Sequence, residues 1–136
     1  MTDAARRNKT DLSGLWHGLY TYQVASPPTH FTANMRMAGA CLSGLIKEAA
    51  INEAGAPLGL AATLAGSLNG HAVSFAKTYD GRHGWMHTVL YEGDLNVDAS
   101  EIEGVWTIPG EWSGRFLMIR APGMTETIAR RQYEKV

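Results

Sequence analysis

The sequence predicts an all-β domain: one closed, antiparallel up-and-down barrel of about eight strands. Three observations predict it. Apolar and polar residues alternate at period two along most of the chain, and a helix-length apolar face is almost absent. Turn-forming residues interrupt that alternation at short intervals. A glycine recurs inside the strands, two residues ahead of a large apolar side chain, in Gly14-Leu15-Trp16, Gly44-Leu45-Ile46, Gly66-Ser67-Leu68, Gly93-Asp94-Leu95, Gly104-Val105-Trp106 and Gly114-Arg115-Phe116. Without a Cβ a strand can bend sharply or admit a neighbouring side chain, and repeated bending closes a sheet on itself. Closure also removes the exposed edges that an open meander leaves.

In chain order the alternation predicts strands over Leu12–Tyr22, His30–Ala38, Cys41–Ile51, Leu60–Leu68, His71–Tyr79, Met86–Glu92, Glu101–Ile108 and Ser113–Arg120. Asn69-Gly70 suits a type I′ hairpin, Asp80-Gly81 can occupy the same positive-φ positions, and Pro109-Gly110 has the order of a type II turn. Ser26-Pro27-Pro28 and Ala54-Gly55-Ala56-Pro57 read as longer loops. Residues 1–10 read as a flexible segment and 11–120 as the barrel. In the tail, 121–136, Thr125 could cap a helix carrying Ile128 and Tyr133, and the same residues also suit a further strand.

A chain of 136 residues is the size of one domain and needs no disulfide or metal staple. Twelve Lys and Arg stand against thirteen Asp and Glu, a net charge of -1. That gives no field to gather nucleic acid or an anionic membrane, so neither is an expected partner. No run approaches the roughly 20 apolar residues of a membrane helix. Met1 to Thr10 is polar, without the apolar region of a secretory signal, and the lone Cys41 has no partner in the chain. A cytoplasmic protein is expected, with Cys41 as a small core filler.

Gly14-Leu15-Trp16 in the first strand resembles the Gly-x-Trp motif of lipocalins and other calycins. Arg120, at the end of the last strand, resembles the arginine that such proteins pack over that tryptophan. The resemblance spans Leu12 to Arg120 and implies that Trp16 and Arg120 close one end of the barrel through a cation–π contact. Phe75-Ala76-Lys77-Thr78-Tyr79, Tyr91-Glu92-Gly93 and Gly104-Val105-Trp106 are similar to segments of small calycin-like proteins of bacteria, a likeness that implies no function.

With Trp16 inside, alternation turns Gly18, Tyr20, Tyr22, Phe31, Ala33, Met35 and Met37 inward. Later strands add Ile46, Glu48, Leu64, Phe75, Lys77, Tyr79, His87, Val89, Tyr91, Trp106 and Phe116 to the inner face. Trp16 and Trp106 are expected to fill the base. An apolar interior does not need Glu48, Lys77, His87 and the phenols of Tyr20, Tyr22, Tyr79 and Tyr91, so these groups must pair, meet water or meet a ligand. Lys77 either leaves through the barrel mouth, pairs with Glu48, or meets a ligand.

The leading expectation is a binding protein for a small, largely apolar or amphipathic molecule carrying one polar or anionic group, held inside the barrel. Its site would comprise Tyr20, Tyr22, Met35, Glu48, Lys77, Tyr79, His87, Tyr91 and Trp106. No metal and no cofactor is expected. His83 and His87 have i, i+4 spacing, but across a turn rather than on a helix. Nitrobindin-like barrels bind heme through a histidine, and the surroundings of His87 do not reproduce that motif. An enzyme alternative comes from phenolic acid decarboxylases, whose Tyr-x-Tyr pair Tyr20-Thr21-Tyr22 resembles. That resemblance implies roles for Arg36 and Glu48, with Glu48 as a general acid, although alternation turns Arg36 outward. The third alternative is a filled barrel acting as an interaction module, with outward Leu15, Leu19, Leu45, Leu117 and Ile119 forming a homodimer face.

Overall fold

A computed structural model describes residues 10–22, 27–51, 54–84 and 86–120. Eight strands follow one another: β1 (Gly14–Tyr22), β2 (Thr29–Ala38), β3 (Cys41–Ile51), β4 (Pro57–Asn69), β5 (Ala72–Tyr79), β6 (Thr88–Leu95), β7 (Glu101–Ile108) and β8 (Trp112–Arg120). Each pairs antiparallel with the next, and β1 also pairs with β8 from Trp16↔Arg120 to Tyr22↔Gly114, which closes the barrel. Of the predicted terminal segments 1–10 and 121–136, residues 1–9 and 121–136 lie outside the described residues. Among the described residues no helix is long and apolar enough to cross a membrane.

Period two dictates the facing. On β5, Val73, Phe75, Lys77 and Tyr79 are buried, while Ala72, Ser74 and Thr78 are exposed. The turns follow backbone chemistry. Pro109 and Gly110 occupy the central positions of a type II turn, with Gly110 at φ 75° and the Glu111 N–H donating to Ile108 O at 2.9 Å. The β4–β5 loop is Gly70–His71, because Asn69 still pairs with Ala72 as the last ladder residue. Thus the positive-φ glycine opens that turn instead of completing an Asn-Gly pair. Asp80-Gly81 does not form a hairpin either. Its side-chain bond to the Arg82 N–H starts a single 3-10 turn, Arg82–Gly84, which delays β6 to Thr88 and leaves His87 outside the strand. Pro57 is the first residue of β4 rather than part of a loop, a position where a ladder tolerates its missing N–H.

The interior glycines yield space to aromatic rings. The Phe31 ring lies where a Gly18 side chain would be, and the Trp106 indole lies against Gly114. Gly104 and Gly93 face each other across β6–β7, where a Cβ on Gly104 would collide with the Glu92 carbonyl. Gly14 differs: its surroundings are open, and its φ of 126° shows that backbone conformation alone selects it.

Odd-numbered strands run from the closed end towards the mouth. At the closed end Trp16 is fully buried and donates from Nε1 to Leu12 O at 2.9 Å. The Arg120 guanidinium lies 4.8 Å from the centre of that indole. It also donates to Asp11 O at 2.7 Å, to Ser13 O at 3.3 Å and to Ala99 O at 3.3 Å. One side chain thereby gathers the segment before β1 and the β6–β7 loop.

Two expectations about the surface are corrected. Leu19, Leu117 and Ile119 sit on the outward parity of β1 and β8 yet are buried as a second apolar cluster, so they are not an open dimer face. Alternation gives a residue's side of the sheet but not whether something further out covers it. Cys41 lies on the outward side of β3 at a turn and is exposed, so it is not a core filler.

Replacing Arg120 with Ala removes the cation–π contact and leaves three carbonyls without their donor. The unfolding free energy should fall by about 1–3 kcal/mol in urea denaturation. Stability equal to that of the wild type would dismiss this closure.

Candidate functional site

In the mouth half of the barrel, strands β1, β3, β5 and β6 bring Tyr20, Glu48, Lys77, Tyr79 and Tyr91 together. Glu48 accepts from Tyr20 Oη at 3.0 Å and from Tyr79 Oη at 2.9 and 3.0 Å. Lys77 Nζ donates to Glu48 Oε2 and to Tyr91 Oη, the latter at 2.9 Å. Its ammonium also stands 4.8, 4.7 and 5.2 Å from the ring centres of Tyr20, Tyr79 and Tyr91. Lys77 and Glu48 are both buried. Lys77 therefore does not leave through the mouth; each charge has the other as partner, with phenols completing both shells.

Burial dominates the electrostatics. It pushes the phenols of Tyr20, Tyr79 and Tyr91 far above the ordinary tyrosine value, and the Glu48 carboxylate beside them adds to the shift. Burial lowers Lys77 from its ordinary value, while Glu48 pulls in the opposite direction. The ammonium that was a candidate for attracting an anion is already neutralised by Glu48.

Little space remains around this cluster. A cavity of about 10 Å³ is lined by Tyr20, Lys77, Tyr79, Tyr91 and Trp106 together with rim residues. Small-molecule sites occupy roughly 300–1,000 Å³, so as described this interior has room for about one water and not for a ligand.

The other predicted residues are distributed along the barrel axis. Tyr22 is half-buried at the mouth, where its ring meets Trp106 at 5.1 Å. Trp106 is buried in the mouth half, bonded from Nε1 to Thr21 O at 3.0 Å. It does not share the base with Trp16, because its partners Tyr91 and Gly114 lie near the open end. Met35 is opposite Gly14 and Gly44 at the closed end, so it belongs to the core below and not to the site. His87 is exposed on the rim, its ring 4.9 Å from that of Tyr79. Arg36, opposite Ser43, is exposed on the outer face near the closed end, so the set resembling a decarboxylase is not assembled around Glu48.

A larger space lies at the mouth. An open groove of about 500 Å³ is lined by Tyr22, Thr107, Ile108, Glu111, Trp112 and their neighbours. Trp112 is 58% exposed, and its ring lies 5.4 Å from Tyr22 at 73°. Edge contacts continue inward from Tyr22 to Trp106 and from Trp106 to Tyr20 at 5.9 Å. Trp112, the first residue of β8, is left out of the strand expected over Ser113–Arg120. Its parity with Gly114 and Phe116 would have placed it on the inward side, above the rim.

The fold and this geometry define a closed eight-stranded antiparallel barrel. No protein-family model and no curated protein matches the chain. Among solved structures it is similar to a redesigned beta barrel, with a TM-score of 0.59 and 13% identity over 82% of this chain and 91% of that one. Apocrustacyanin C2 is also found, with a TM-score of 0.44 and 14% identity over 97% of this chain and 72% of that one. At such identities the likeness to the redesigned barrel concerns the fold alone.

The buried phenols make stability sensitive to alkali. Above pH 10 the unfolded chain releases phenolic protons that folded Tyr20, Tyr79 and Tyr91 retain, so their contribution is complete below that value and is lost progressively as pH rises from it towards their much higher folded values. Lys77 acts oppositely, and only below its unfolded value of 10.5, because there the folded state sheds the proton first. Stability should therefore decline above pH 10.5, approaching about 4 kcal/mol per pH unit where all three phenols ionise only on unfolding. Phenolate absorbance of these three should appear together with loss of circular dichroism. Their ionisation near pH 10 in a still-native spectrum would contradict this account.

Proposed function

We propose that the protein binds a small, largely apolar molecule at the barrel mouth, on the aromatic surface of Tyr22 and Trp112. The observation that carries this reading is the contrast between a mouth groove of about 500 Å³ and an interior cavity of about 10 Å³. An indole left more than half exposed beside a phenol offers a flat apolar face to a planar molecule, and covering it gains hydrophobic as well as aromatic energy. The edge contacts beneath hold that face in place, which limits the ordering cost of binding. In this reading the Glu48–Lys77 cluster supports the floor.

The test uses the neutral fluorophore N-phenyl-1-naphthylamine, followed by its emission and by tryptophan quenching. The substitution Trp112→Ala should weaken binding about tenfold, the effect of losing one aromatic contact and its buried area, with circular dichroism unchanged. Equal affinity in the two proteins would defeat the proposal.

A second reading, self-association of a filled barrel, is favoured by Leu15 and Leu45. They are 43% and 61% exposed and flank Asn34 in one row of the outer surface. Light scattering should then give a dimer mass that Leu45→Glu lowers to the monomer value. A monomeric wild type at high concentration would dismiss it.

A further inference from the structure

We infer that the molecule bound at the mouth is an aromatic anion and that Arg115 holds its charged group; the inference rests on the mouth reading. The groove does not stop at the rim. Tyr22, Thr107 and Ser113 line both the mouth groove and a second groove of about 530 Å³ on the outer face of β1, β8 and β7. Thr107 and Ser113 are ladder partners, so together they form the low edge over which the two grooves join. One step below on the outer face, Thr21, Arg115 and Val105 make a single row.

Arg115 is exposed there, and no ion pair joins it to a carboxylate among the described residues. By contrast, Lys77 and Arg82 each have an acidic partner. Glu111 lines the mouth groove, where it disfavours an anion beside Trp112, and Glu103 lies opposite Leu117, farther from the mouth. Charge thus orients the ligand: its rings on Tyr22 and Trp112, its anionic group across the edge at Arg115. Ser113 and Arg115 point to the same face at a two-residue separation of roughly 7 Å, a span that a fused aromatic ring with an attached acid bridges. A guanidinium fork pairs two oxygens of a carboxylate or sulfonate, which makes arginine well suited to this role.

Two probes sharing one ring system test this: neutral N-phenyl-1-naphthylamine and its sulfonate, 8-anilinonaphthalene-1-sulfonate. Arg115→Met should weaken the sulfonate about tenfold, the scale of a hydrogen bond to a charged group, and leave the neutral probe unchanged. Arg115→Lys should recover part of the loss, and added salt should weaken only the sulfonate. Trp112→Ala should weaken both probes. If Trp112→Ala affects neither, the mouth reading fails and takes this inference with it. If Trp112→Ala weakens both but Arg115→Met leaves their affinity ratio as in the wild type, the inference alone fails.

Discussion

The buried pair of Glu48 and Lys77 is the constraint around which the mouth half of the barrel is arranged. Taking two charges out of water costs several kcal/mol per ion, and the attraction between them offsets this only when the remaining lone pairs and protons are also satisfied. Here Tyr20 and Tyr79 donate to the carboxylate, Tyr91 accepts from the ammonium, and three ring faces surround Nζ. Those partners come from β1, β5 and β6, so satisfying one ion pair ties β1 and β3 to the β5–β6 pair across the barrel. The same partners are bulky. Once three phenols stand around the pair, with Phe75 stacked on Tyr91 at 4.7 Å and Trp106 against Tyr20, the lumen is filled.

The two ends are closed by different chemistry. At the base a single cation lies over Trp16 and caps carbonyls of two separate segments, a contact that costs little desolvation because Arg120 remains partly exposed. Near the mouth the cation is fully buried and needs a carboxylate. Between them the interior is apolar, with Phe31, Ile46, Ile102 and Met118 all buried. Polar chemistry at both ends with a dry middle leaves few alternative registers. A one-residue slip of β5 would turn Lys77 out and leave Glu48 buried without its counter-charge.

Much of this was legible in the sequence because period two reports which side of the sheet a residue occupies. The barrel, the strand order and the inward set including Glu48, Lys77 and four tyrosines follow from parity, turn residues and the recurring glycines, whereas the Trp16–Arg120 closure was implied by the resemblance of Gly14-Leu15-Trp16 and Arg120 to the lipocalin motif. What parity does not report is height along the barrel or cover from outside. Met35 and Trp106 both face inward, yet one lies in the closed half and the other near the mouth. Leu19, Leu117 and Ile119 face outward and are buried nevertheless. Loop geometry is the third gap. The bond from Arg82 N–H to Asp80 extends the β5–β6 connection, so His87 becomes a rim residue instead of part of a strand.

These gaps bear directly on function. An inward lysine among tyrosines reads as a ligand site when nothing is known of its height or its neighbours, because an unpaired ammonium in an apolar pocket would seek an anion. Once Glu48 is opposite it, the inner face is electrically neutral and sterically complete, and the charge that made the lumen attractive no longer acts on anything outside. In the mouth reading proposed above, recognition would fall to groups that the core does not use. Among the described residues those are the exposed indole of Trp112, the half-buried Tyr22 and the unpaired guanidinium of Arg115 at the rim of β1, β7 and β8. Because Tyr22 touches both Trp112 outside and Trp106 inside, the buried cluster would still matter for the proposed binding: it supports the aromatic surface on which a ligand would rest.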